Sequence, residues 1–137
     1  MRVLLDTNIV LDVILDREPF AQESGRIWVA SDQGLFEAYL ASFTIPTIYY
    51  ICRRQAGAPA ADQAVDRCLR AFEIAPLYRE CILAARQMTG PDFEDNLQIA
   101  CAITDFIQGI VTRDPEDFAH SPIRVYRPAE LLAVLRR

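Results

Sequence analysis

Val3-Leu4-Leu5-Asp6-Thr7-Asn8 is the stretch on which the reading of this chain turns. The apolar run begins after Arg2, is led by Val and Leu, and ends at Asp-Thr-Asn. It reads as a buried strand handing over to a helix N-terminus, with Thr7 or Asn8 as the cap. Apolar positions then recur on one helical face from Ile9 to Ile14, with Asp12 stacked four residues beyond Asn8. A buried strand that runs straight into a helix is the opening of a parallel α/β fold.

The same alternation continues outward. Pro19 marks the next start, and Phe20 to Gln33 has helical spacing that stops at Gly34, followed by a second strand over Ala38 to Ala41. Ser42-Phe43-Thr44 opens a helix ending near Arg53-Arg54, and Gly57-Ala58-Pro59 leads into an amphipathic run to Ala71. Phe72 to Ile74 reads as a third strand, and Leu77 to Met88 as another helix. The turn Gly90-Pro91-Asp92 then delivers the chain into a helix from Phe93 to about Phe106, ended by Gly109. Ile110-Val111-Thr112 and Arg124-Val125-Tyr126 are the last strands, and Pro128 to Leu135 is a closing helix. Strands alternating with helices predict a three-layer α/β/α sandwich with a central parallel sheet, in one domain spanning residues 1–137.

With 52% hydrophobic residues over 137 positions, the chain has enough apolar surface for a core of its own. Cys52, Cys68, Cys81 and Cys101 fall in helical segments without a close C-x-x-C pair, which argues against a zinc knuckle or a disulfide framework. The N-terminal run meets an acid after three apolar residues, and no apolar run approaches membrane-spanning length, so a soluble, cytoplasmic protein is expected, with no membrane partner. Net charge is −5 and all 14 basic residues are arginine. An acidic chain offers nucleic acid no broad attraction, so such a substrate needs metal ions or local arginines.

Three aspartates stand at or beside strand-to-helix points: Asp6, Asp95 within Asp92-Phe93-Glu94-Asp95-Asn96, and Asp114 after Ile110-Val111-Thr112-Arg113. Ligands of open parallel sheets gather outside the carboxyl ends of the strands. Acids placed there converge even when far apart in sequence. Two carboxylates about 5 Å apart repel by roughly 3 kcal/mol at an effective dielectric near 20, so such a cluster calls for a cation. An oxygen-only donor set suits Mg²⁺ or Mn²⁺, and the chemistry that follows is hydrolysis of a phosphodiester. Taken singly, each acid also has a plainer reading. Asp6 can open a turn and cap a helix, Asp92 and Asp95 resemble a capping box, and Asp114 and Asp117 can cap the turn Pro115-Glu116-Asp117. Asp12, Asp16 and Glu94 read as solvated helix-face charges, Arg53-Arg54 as a helix C-terminal pair, and Phe118 as core. His120 is the single histidine, so neither a histidine-based metal site nor a Ser-His-Asp triad can be assembled.

Leu4-Leu5-Asp6-Thr7-Asn8, Asp92-Phe93-Glu94-Asp95 and Val111-Thr112-Arg113-Asp114-Pro115-Glu116-Asp117-Phe118, in that order and spacing, resemble the PIN domain over nearly the whole chain. The resemblance implies a small metal-dependent ribonuclease, most often the VapC-type toxin of a bacterial toxin–antitoxin pair, with RNA as substrate and magnesium or manganese as cofactor. By that resemblance Asp6, Asp95 and Asp114 match the first, third and fourth metal acids. Asn8 and Thr112 match polar residues that support them by hydrogen bonds, and Asp117 matches an additional acid beside the site. A small antitoxin whose C-terminal segment covers the acidic cleft, and a homodimer, are implied as partners.

The chain departs from the family pattern at Thr47, which stands where a glutamate is usual within Thr44-Ile45-Pro46-Thr47-Ile48-Tyr49-Tyr50. A hydroxyl cannot supply that charge, so the remaining acids are expected to hold one cation rather than two, with Asp12 or Asp92 available to compensate. A response-regulator receiver and a haloacid-dehalogenase-like phosphatase also use strand-end acids, but both need a lysine, as does a Walker P-loop, and the chain has none. The rival from another class is a PIN fold that binds RNA or a protein and no longer cuts it.

Overall fold

The computed structural model describes residues 1–136. Its centre is a five-stranded sheet of β1 (Arg2–Leu5), β2 (Glu37–Ala41), β3 (Glu73–Ala75), β4 (Gly109–Val111) and β5 (Arg124–Tyr126), in the order β3-β2-β1-β4-β5. Every pairing is parallel, with Leu4 opposite Tyr39 on one side and Ile110 on the other. From β1 the chain steps outward to β2 and β3, then returns to the far side of β1 for β4. The order therefore reverses between β1 and β4, and the crevice beyond their carboxyl ends is the topological switch point where ligands of such sheets bind.

Successive strand residues point to opposite faces, and both faces are covered. Val3, Leu5, Leu40 and Val111 pack with α1 (Thr7–Ile14), α2 (Ala21–Asp32), α3 (Thr44–Ala56), α4 (Ala58–Ala71) and α7 (Pro128–Leu135). Leu4, Ala41, Ala75 and Ile110 pack on the other side with Ile99 and Ala102 of α6 (Phe93–Thr104) and with Phe118 of a 3-10 turn, Pro115–Phe118. Behind α6 lies α5 (Arg79–Gln87), joined to it through Cys81, Ala85, Ala100 and Cys101. This is the three-layer α/β/α sandwich read from the sequence. Leu4, Leu5 and Ile110 are fully buried, each contributing about 2 kcal/mol by leaving water, which is why the central strands are apolar except where β1 and β2 begin, at the exposed Arg2 and Glu37. All four cysteines are buried free thiols. Among the described residues, no helix is long and apolar enough to cross a membrane.

The local differences from the sequence reading have physical causes. Asp6, rather than Thr7 or Asn8, is the N-cap of α1, and its side chain makes no capping bond because other partners take both carboxylate oxygens. Gly109 does not end α6, which stops at Thr104; it lies buried inside β4, where a Cβ would meet the Tyr126 ring and the Arg124 carbonyl. β3 lies one residue later than read, at Glu73–Ala75. The largest correction concerns Asp12: it is no solvated helix-face charge but fully buried, because Arg113 reaches across to pair with it. Phe118 is core, and Arg53 and Arg54 lie in the last turn of α3.

Candidate functional site

Asp6 follows β1 at the switch point and is held from two directions. Thr112 Oγ1 donates to Asp6 Oδ2 at 2.8 Å, and Gln98 Nε2 donates to Oδ1 at 3.1 Å. Thr112 is fully buried at the end of β4, and its Oγ1 also accepts the Asp114 backbone N–H at 3.0 Å. One hydroxyl thus joins the first and fourth acids. Asp95 arrives on the first turn of α6, where Asp92 is the N-cap and accepts the Asp95 backbone N–H at 3.0 Å. The capping role read for Asp92 is therefore present.

These groups open into a cleft of about 270 Å³. Its acids are Asp6, Asp92, Glu94, Asp95 and Asp117; Asn8, Thr47 and Gln98 line it too. Asp114 lies just outside this lining, near enough for its charge to act on Asp6. Asn8 faces the cleft, but among the described residues the side-chain hydrogen bonds on the Asp6 carboxylate come from Thr112 and Gln98 instead. Thr47 forms part of the wall, and its hydroxyl donates to the Phe43 carbonyl at 3.2 Å, one helical turn back. The corner where a glutamate would stand is uncharged.

The acids perturb one another as a shared cleft requires. Burial pushes the Asp95 carboxyl up, and the charges of Asp92, Asp6, Asp117 and Glu94 push it further, to about 7. Asp6 is raised chiefly by burial; the hydrogen bonds from Gln98, Thr112 and the Thr7 backbone oppose that rise, and Asp114 adds to it. Glu94 is raised by burial and by Asp92 and Asp6. Glu94 is exposed, yet it faces the cleft, so reading it as a mere surface charge missed its neighbours.

Every donor in the cleft is oxygen or amide, the set that suits Mg²⁺ or Mn²⁺. Among the described residues, no three carboxylate, thiol or imidazole groups already stand together as a metal cage. Mg²⁺ characteristically binds through one or two carboxylates and keeps its remaining waters. Two further observations fit such a hydrated ion: crowded acids that resist ionisation, and Gln98 Oε1, which is buried beside Asp6 without a hydrogen-bond partner.

Sequence reading missed four supporting residues, Gln98, Arg113, Asn96 and His120. Gln98 lies three residues after Asp95 on α6, so helical spacing alone places both on one face. Arg113 binds the buried Asp12 through Nε at 2.7 Å and Nη2 at 3.1 Å. Asp12 is therefore committed to an arginine, and does not compensate for Thr47. His120 Nε2 lies 2.7 Å from Asn96 Oδ1, while Asn96 Nδ2 donates to the Gly90 carbonyl at 2.9 Å. This clasp ties the loop after Asp117 to the turn that carries Asp92.

No curated protein matches the sequence. Among solved structures, a chain of VapBC2 from Rickettsia felis, bound to a DNA fragment from its promoter, is 15% identical with a TM-score of 0.70, covering 93% of this chain and 98% of that one. VapC20 of Mycobacterium tuberculosis, a sarcin-ricin loop cleaving toxin, is 13% identical with a TM-score of 0.69, covering 85% and 93%. A toxin–antitoxin complex from Klebsiella pneumoniae contains a chain 20% identical with a TM-score of 0.69, covering 92% and 97%. At such identities the likeness is one of fold. The sequence itself matches the model of the PIN domain over residues 2–116, which takes in Asp6, Asp95 and Asp114, and the chain therefore belongs to the PIN domain family.

Proposed function

We propose that this chain is a Mg²⁺- or Mn²⁺-dependent endoribonuclease and the toxin of a type II toxin–antitoxin pair, acting in the cytoplasm as one PIN-like domain over residues 1–137. The observation that carries the reading is the meeting of Asp6 and Asp95 in one cleft at the β1/β4 switch point, with Asp114 joined to Asp6 through Thr112. Thr112 and Gln98 each donate to one Asp6 oxygen, fixing the carboxylate's orientation and leaving its remaining lone pairs for a cation. Asp95 continues the anionic wall, with Asp92 and Asp117 beside it and Asp114 just outside the lining. A divalent cation held there supplies activation of water and neutralisation of charge on the phosphodiester. The chain's own acids repel the phosphate backbone, so RNA reaches this cleft only once that negative charge is offset.

The antitoxin and a homodimer are part of the proposal. Its support is the fold shared with chains from toxin–antitoxin complexes. Purified protein should cleave RNA with added Mn²⁺ and lose that activity in chelator or as Asp6→Asn. Expression alone should slow host growth, and normal growth with soluble protein would contradict the toxin role.

One observation favours the second reading, a PIN module that binds RNA or protein without cutting. The Thr47 corner carries no charge, and its hydroxyl is engaged with Phe43. Metal-independent RNA binding with no cleavage would select it.

A further inference from the structure

Asp12 is fully buried in α1, yet the arginine that neutralises it comes from the loop after β4. Both its oxygens receive Arg113, at 2.7 and 3.1 Å, and Ser24 Oγ donates to Oδ2 at 3.2 Å. The Phe20 ring lies 4.0 Å from the guanidinium carbon and closes the remaining face. α1 and the start of α2 thus grip one planar side chain in a two-pronged geometry that a single ammonium could not match.

Stability alone is a weak reason for this pair, since well-packed apolar residues usually serve a core as well as a buried ion pair does. The position of Arg113 supplies a better one. It sits between Thr112, whose hydroxyl holds Asp6, and Asp114, whose backbone N–H is held by that same hydroxyl. Beyond Thr112 N–H to the Tyr126 carbonyl, β4 pairing stops, and the segment leaves the sheet.

We propose that the Asp12–Arg113 pair is a positioning device for the acidic centre: it clamps the backbone from Thr112 to Asp114 onto α1, so that Thr112 Oγ1 and the Asp114 carboxylate face Asp6. The functional consequence rests on the nuclease reading above; the clamp itself does not. Arg113 and Asp12 are positioning residues, and neither is among the residues that line the cleft.

The test compares Asp12→Asn/Arg113→Gln, which leaves no buried charge unpaired, and Arg113→Lys, which keeps the charge and loses the fork. Ile27→Val, a core substitution elsewhere on the same layer, controls for lost stability. In chelator, amide hydrogen exchange at Asp114 should quicken by about 10-fold or more in the double variant through local opening, and little in Ile27→Val. Mn²⁺ affinity, read by titration calorimetry, should weaken by about 10–100-fold, as is usual when groups behind a ligand are lost. With RNA, kcat should fall while KM stays within about twofold, and Arg113→Lys should lie between the double variant and wild type. Asp114 exchange and Mn²⁺ affinity matching those of Ile27→Val would overturn the proposal. A wild type that neither binds Mn²⁺ nor cuts RNA would sink the nuclease reading, while the exchange comparison would still decide the clamp.

Discussion

Replacing Asp95 with Asn should make the metal-free protein more stable while disabling it. Folding raises the Asp95 carboxyl from 3.8 to about 7, chiefly by burial and then by Asp92 and Asp6. At about 1.4 kcal/mol per unit, the ionised group would nominally oppose folding by about 4 kcal/mol. Asp95 is only half-buried, and solvent screening reduces that figure to about 1–2 kcal/mol. Asn also forfeits a favourable charge at the α6 N-terminus, about 0.5 kcal/mol. The net gain is about 1 kcal/mol, or roughly 3–4 °C in melting temperature for a chain of this size. Because the folded state holds the Asp95 proton more tightly than the unfolded one, wild type loses this stability as pH rises from about 4 to about 7. The advantage of Asp95→Asn should therefore be full near pH 8 in chelator, shrink as pH falls through about 7, and vanish near pH 4. Saturating Mn²⁺ should reverse the order, since a ligand at 100 times its Kd adds about 2.7 kcal/mol to the protein that binds it. Thermal melts of both proteins across pH, in chelator and in Mn²⁺, make the measurement. An Asn variant less stable than wild type at pH 8 in chelator, or a difference insensitive to pH, would refute the reasoning.

Thr112→Ala should lower stability by about 1–3 kcal/mol by stranding a buried carboxylate oxygen, and should cut RNA cleavage more than Thr112→Ser; denaturant titration and an initial-rate assay check both. Gly90→Ala should cost about 1–3 kcal/mol, because the new Cβ would drive into His120 and Asn96 and open the clasp behind Asp92, as melting experiments would show. Thr47→Glu returns an acid to the cleft wall on a helix that tolerates it, and should tighten Mn²⁺ binding by about 10-fold in calorimetry, or about 1.4 kcal/mol.

What the sequence revealed follows from how local each signal is. The buried parts of β1 and β4 are apolar because both their faces are covered, and that shows in Val3-Leu4-Leu5 and Ile110-Val111 without reference to any partner. Asp6 and Asp114 were legible as strand-end acids for the same reason, and Asp92 as an N-cap. Asp12 was not. Its burial depends on Arg113, which is remote in sequence, and nothing in Leu11-Asp12-Val13 distinguishes an acid awaiting an arginine from one awaiting water. Gln98 was equally opaque, since its role appears only once α6 lies against Asp6. Gly109 misled because a glycine after a helix ordinarily ends it, whereas here the close approach of Tyr126 requires the missing side chain. Thr47 was visible as a departure from the family pattern, but its bond to the Phe43 carbonyl was not.

The most direct test of the central claim, that these carboxylates form one cation site serving RNA cleavage, is a Mn²⁺ titration of wild type and Asp6→Asn followed by an RNA cleavage assay on the same samples. The account predicts saturable binding and cutting in wild type, with both lost together in Asp6→Asn. Cleavage that survives in Asp6→Asn, or Mn²⁺ binding equal in the two proteins, would contradict it.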